Sequence, residues 1–169
     1  TRANCPSTTA VCVASKVQEA GWWQQYDLGP AAPLEITYLP ASHWHRRDLA
    51  DMNQVLWGSF MIRINDRLIY FAGDTAYADH FEAIEERFGP LDIVLMPIGA
   101  YKPAFMMNKS HVNPHEAAKA VNVLRAGHIV PMHYGTFPGL PGDPQVFAAE
   151  ARKRGVTAHL IQPGETLDY

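Results

Sequence analysis

Apolar and polar residues alternate from Leu34 to Leu39, with Leu34, Ile36 and Tyr38 on one side, which predicts a β-strand ended by Pro40. Two further strand patterns run from Val55 to Ile64 and from Arg67 to Ala72, and the polar pair Asn65-Asp66 between them predicts a hairpin turn. The period then changes. Phe81, Ile84 and Phe88 share one helical face, Asp79 and Glu82 stand at capping-box spacing, and Gly89-Pro90 stops the helix. Asp92 to Ile98 is almost wholly apolar, the pattern of a strand buried on both faces. Asn113-Pro114-His115-Glu116 opens a second helix, with an N-cap, a proline at the first position and an acid at N3; it runs to about Arg125 and stops at Gly127. His128 to His133 reads as another buried strand, Asp143-Pro144 starts a last helix that ends at Gly155, and Val156 to Ile161 reads as a closing strand.

Three strands followed by alternating strand and helix predict an α/β layered domain on a mixed β-sheet with flanking helices. Residues 1–33 are poorly defined: a short helix over Val11 to Gln18, then Gly21-Trp22-Trp23, then a Gly-Pro-rich stretch. Residues 40–54, 99–112 and 134–142 read as loops, the second with exposed Tyr101, Phe105, Met106 and Met107. No internal repeat divides the chain, so residues 1–169 read as a single, partial domain.

Composition narrows the class. With 47% hydrophobic and 18% charged residues the chain can fill a core, and a net charge of -3 offers no basic field for nucleic acid. No apolar run reaches the length of a membrane span, and no basic-then-apolar leader opens the chain; cytoplasm is the default expectation. Cys5 and Cys12 fit neither a zinc knuckle nor a C-x-x-C redox pair and read as ordinary thiols, or as a local disulfide in an exported protein.

Three polar clusters follow directly on apolar runs: His43 after the first strand, Asp74 after the third, and His133 after the strand from His128. Three strands can thus deliver His, Asp and His to one edge of a sheet. Imidazole nitrogen and carboxylate oxygen are zinc ligands, and an aspartate can bridge two ions. Each residue also has a plain reading, Asp74 as a turn aspartate and the histidines as hydrogen-bonded core residues.

The strings GWW, LPASHWHRRDLADMNQVLWGSF, YFAGDTAYADHFEAIEERFGPLDIVLMPIGAY, SHVNPHEA and MHYGTF resemble the metallo-β-lactamase superfamily. Within it they resemble the branch of N-acyl-phosphatidylethanolamine-hydrolysing phospholipase D and UlaG-like hydrolases. The resemblance covers about Gly21 to Thr136. It implies the C-terminal half of an αββα sandwich with a metal site at one edge. By motif, His43 completes the first metal site, Asp74 bridges both, and His133 belongs to the second; the metal is zinc or another divalent ion such as manganese. His111 matches a catalytic histidine near the substrate pocket, and Tyr101 joins it as a substrate-binding candidate. The implied reaction is hydrolysis of a phosphodiester, phospholipase D-like, by a metal-bound hydroxide. Trp22, Trp23, Tyr101, Phe105, Met106 and Met107 are candidates for an acyl groove, or for ordinary packing.

One departure stands out. The family's H-x-H-x-D-H signature occurs nowhere in the 169 residues; His43-Trp44-His45 has the first spacing, but Arg46-Arg47-Asp48 does not continue it. The chain therefore reads as a fragment, a truncated gene or a half-domain, expected to bind metal poorly, since neither site is complete. The alternative to an enzyme is a non-catalytic half-domain that forms a homodimer, or one that assembles with a separate chain carrying the missing motif.

Overall fold

Asn65 takes a left-handed φ of 52°, which its short polar side chain tolerates, and so turns β2 (Ser59–Ile64) back onto β3 (Arg67–Phe71). β1 (Leu34–Leu39) lies antiparallel on the far side of β2, with Leu34 opposite Ile64 and Leu39 opposite Ser59. The computed structural model describes residues 17–46, 48–137 and 141–168. After β3 the chain runs α1 (His80–Phe88), β4 (Ile93–Pro97), α2 (Ala104–Met107), α3 (Pro114–Val123), β5 (His128–Met132), α4 (Pro144–Arg152) and β6 (Thr157–Ala158). The six strands form one mixed sheet in chain order, antiparallel through β3 and parallel from β3 to β6.

Each parallel pair is joined through a helix, and the crossovers step the same way across the sheet. Their common hand puts α1, α3 and α4 on one face. There Leu39, Met61, Tyr70, Val94, Met96 and Ile129 pack against Phe81, Ile84, Val121, Leu124 and Phe147, all buried. The opposite face is apolar too, but no helix covers it among the described residues. Ile36, Phe60, Ile62 and Phe71 line a cavity of about 360 Å³ there, walled by Tyr26 and Leu28. The alternation of Leu34, Ile36 and Tyr38 thus marks the open face, not the helix-covered core. Sheet and one-sided helices make two layers, with the second face of the sheet open among the described residues.

The elements match the sequence pattern with four differences. β2 begins at Ser59, not Val55, because β1 ends at Pro40, which has no N–H to extend the ladder. Residues 55–58 instead wrap the end of β1: Tyr38 Oη donates to Leu56 O at 3.1 Å, and the Trp57 indole donates to Ala41 O at 3.0 Å. The box at Asp79 does not form. Asp79 is already helical at φ -61° and makes no side-chain cap, while Glu82 accepts from Tyr77 Oη at 3.0 Å. The loop after β4 contains α2, and the closing strand shrinks to two residues. Around α3 the pattern holds: Asn113 Oδ1 accepts from His115 N–H and Glu116 N–H, and Glu116 returns a bond to the Asn113 N–H. Asp143 caps α4 likewise. The helix expected over Val11 to Gln18, but for its last two residues, and both cysteines lie outside the described residues. No described helix is long and apolar enough to cross a membrane.

Candidate metal centre

The segment leading to His43 is tied down residue by residue. Pro40 O accepts from Ser59 Oγ at 3.0 Å, and Ala41 O from the Trp57 indole. Ser42 N–H donates to Thr75 Oγ1 at 2.9 Å, and Ser42 O accepts from Ala76 N–H at 2.8 Å. His43 leaves this platform with Nδ1 2.6 Å from Trp44 O. Only an Nδ1–H can donate to a carbonyl, so in the neutral ring the Nε2 lone pair is free. Such a backbone partner is what orients metal-binding imidazoles. His43 Nε2 is buried and has no hydrogen-bond partner.

Asp74 follows β3 through Gly73, whose φ of 62° gives the sharp exit from the strand. His111 sits at the end of the loop after α2, where its N–H donates to Met107 O at 2.9 Å and the next residue, Val112, donates to Thr75 O at 2.9 Å. His133 follows β5 with φ 58°, a conformation that costs a non-glycine residue about 1–2 kcal/mol. It is accommodated at Gly99, where a Cβ would run into the His133 carbonyl.

These four side chains meet at one edge of the sheet. Ligand atoms of His43, Asp74 and His111 all lie within 4.8 Å of one another. The His43 and His111 rings meet edge-on at 5.1 Å, and the His111 and His133 rings lie 5.3 Å apart. His133 Nε2 stands 3.6 Å from Asp74 Oδ1, beyond hydrogen-bond range. Burial holds the His111 imidazole below its ordinary pKa; the Asp74 carboxylate opposes this, and the His43 and His133 rings add to it. The ring is thereby kept neutral, the form that donates a lone pair. Nδ1 of His111 and Nε2 of His133 are, like His43 Nε2, buried without a partner. Buried polar atoms cost about 1–3 kcal/mol each when unsatisfied, and a shared cation beside a carboxylate is what such a set would satisfy.

Sequence reasoning thus picks out four residues that the fold does bring together. Tyr101 is different: among the described residues its ring meets Lys102 Nζ at 5.9 Å, and no contact joins it to the cluster. His45 was passed over. Both its ring nitrogens are buried without a partner, and its backbone is pinned to Asn53 in both directions. The H-x-H spacing with His43 was the available signal. Of the acyl-groove candidates, Trp23 packs on the core beneath the Arg87 guanidinium at 5.2 Å, Trp22 donates to Trp57 O, and Phe105 and Met106 are exposed on α2.

The sequence profile of the β-lactamase superfamily domain matches residues 2–134. The N-acyl-phosphatidylethanolamine-hydrolyzing phospholipase D 1 of Caenorhabditis elegans is 35% identical over 127 residues, 74% of this chain and 36% of that protein. A UPF0173 metal-dependent hydrolase of Rubrobacter xylanophilus is 44% identical over 101 residues, 59% of this chain and 38% of its own length. Among solved structures, Igni18, a metallo hydrolase from Ignicoccus hospitalis, superposes with a TM-score of 0.70 at 26% identity, over 88% of this chain and 58% of that one. The chain therefore spans well under half the length of these two sequence relatives. The strand-end residues His43, Asp74 and His133, the one-sided sheet and the profile agree: the chain belongs to the β-lactamase superfamily, and its relatives include this phospholipase D and this metal-dependent hydrolase.

Proposed function

We propose that this chain carries part of the centre of a metal-dependent phosphodiesterase. One observation supports it above the others: three histidines present buried, unpartnered ring nitrogens around a single carboxylate. In this reading His43, Asp74 and His133 would hold a divalent metal, zinc or manganese. A divalent ion held there would supply Lewis acidity and a water acidic enough to act near neutral pH. His111 faces the same space from the third loop and reaches the phosphoryl oxygen or the leaving group. Asp74 brings the one carboxylate of the set. The phosphodiester is favoured by the phospholipase D relatives, which match only in part.

The open apolar face motivates the second element of the proposal. A further segment bearing the H-x-H-x-D-H ligands packs on the Ile36, Ile62 and Phe71 face and completes the centre, from the same polypeptide or a separate one. Without it, two copies of the chain cover that face in each other.

The test is metal content by plasma mass spectrometry, followed by hydrolysis of bis(p-nitrophenyl) phosphate and of long- and short-acyl phosphodiesters. Bound zinc or manganese lost in Asp74→Asn, with phosphodiesterase activity that follows it, is the expected result. His111→Ala separates the roles of that residue: retained metal with lost turnover supports substrate contact, and lost metal makes His111 a ligand. Absence of metal from chelator-free protein, both alone and with the H-x-H-x-D-H segment supplied, sinks the reading.

A further inference from the structure

We propose that Thr75 is a positioning residue of this centre: through its hydroxyl and its carbonyl it sets the mutual placement of the loops that carry His43, Asp74 and His111. The inference rests on the metal-centre reading above and deepens it.

Thr75 is fully buried. Its Oγ1 accepts from Ser42 N–H at 2.9 Å, and Ser42 is the residue before His43. Its carbonyl accepts from Val112 N–H at 2.9 Å, and Val112 is the residue after His111. On its other side it is peptide-bonded to Asp74. One residue thus stands a single position away from three members of the cluster. A second rung, from Ala76 N–H to Ser42 O, runs between the same two segments. The hydroxyl is itself oriented, because Oγ1 donates to Ala76 O at 2.9 Å and meets His80 Nε2 at 3.2 Å. With its proton directed to Ala76, Oγ1 presents lone pairs to Ser42 N–H and to an Nε2–H of His80. Burial holds His80 neutral, with a pKa lowered to about 4, which keeps this arrangement in place at working pH.

The sheet alone does not impose this register. β1 and β3 are not neighbours, since β2 lies between them, so no ladder bond links the segments that deliver His43 and Asp74. The loop bearing His111 follows α2 and belongs to no strand. Thr75 supplies the cross-ties that the strands lack. Removal of its hydroxyl takes away the Oγ1 bonds to Ser42 N–H, Ala76 O and His80 but leaves the Val112 N–H bond to Thr75 O and the Ala76 N–H bond to Ser42 O, so the fold keeps its frame while the His43 arm loses one of its two ties to the segment after Asp74.

The experiment uses the full chain, stripped of metal and titrated with Co²⁺, and follows the visible ligand-field bands and the affinity against a competing chelator. Wild type, Thr75→Val and Thr75→Ser are compared. Val keeps the shape and removes the hydroxyl; Ser keeps the hydroxyl. The expected result is Co²⁺ binding about 10–100-fold weaker in Thr75→Val, the range for lost outer-shell partners, with shifted bands. Thr75→Ser should return both to near wild-type values, and hydrogen exchange of the Ser42 amide should quicken in Thr75→Val alone. Equal affinity and bands in all three proteins would overturn the proposal. So would equal losses in both variants accompanied by lower melting temperatures, which mark a plain packing role. If wild type binds no Co²⁺, the metal-centre reading itself falls, an outcome distinct from the other two.

Discussion

A Cβ on Gly99 would collide with the carbonyl of His133, whose backbone is left-handed at φ 58°. Gly99 ends the stretch after β4 and His133 the stretch after β5, so the parallel pair closes with one residue bare and the next strand's ligand candidate seated against it. The Gly99→Ala variant should lose about 1–3 kcal/mol of stability, the usual cost of overpacking. It should also displace His133 from Asp74 and weaken metal retention. Denaturant melts and metal content read the two effects; a variant with wild-type metal content would separate Gly99 from the site.

Asp74 is the carboxylate within reach of both His133 and the His43–His111 pair. Asp74→Asn keeps the shape and removes the charge. Metal content should fall to near background, while thermal stability in chelator stays within about 0.5 kcal/mol of wild type, because the side chain is half exposed and its loss leaves no core cavity. A destabilised apo-protein would point to a structural role instead.

His80 titrates in a definite direction. Its folded-state pKa is lowered to about 4 from the ordinary 6.5, first by burial, with Glu82 and Asp79 opposing. The unfolded chain therefore takes up the proton first. The contribution is fully present above pH 6.5, is lost as pH falls toward 4, and amounts to something on the order of 3 kcal/mol. Urea melts at pH 7 and pH 4.5 read it, and His80→Gln should flatten the slope between those values.

Asn113 caps α3 by accepting from two backbone amides, and its own N–H donates to Glu116 Oε2. Asn113→Ala should cost about 1 kcal/mol. Because Val112 and His111 immediately precede the cap, the loss should also raise hydrogen exchange at the Val112 amide. An unchanged melting midpoint would mean that packing alone fixes this helix end.

The sheet face that no described helix covers predicts self-association of the chain. Sedimentation of the isolated chain should show concentration-dependent association, and Phe71→Lys should reduce it. A strictly monomeric wild type would remove the second-copy alternative.

Most of the strands and long helices, and the delivery of His43, Asp74 and His133 to one sheet edge, were legible because they rest on local signals: alternation, caps, and polar residues just past apolar runs; His111 entered through the family resemblance alone. What escaped depends on contacts distant in sequence. Val55 and Leu56 are as strand-like as Met61 and Ile62, and only the end of β1 at Pro40 denies them a partner. Asp79 and Glu82 have capping-box spacing, yet Tyr77 captures the glutamate. Leu34, Ile36 and Tyr38 announce an apolar side without saying what packs on it.

The tie from Ser42 to Thr75 spans 33 residues, and the tie from Thr75 to Val112 crosses α1, β4 and α2. Closing either one requires the intervening strands to be in register already, since loop closure over such separations costs entropy that only assembled structure repays. The ligand cluster is therefore a late product of folding. An ion arriving early meets scattered side chains, and one that is retained reports that the first strand, the crossovers and the loop after α2 have all reached their final places.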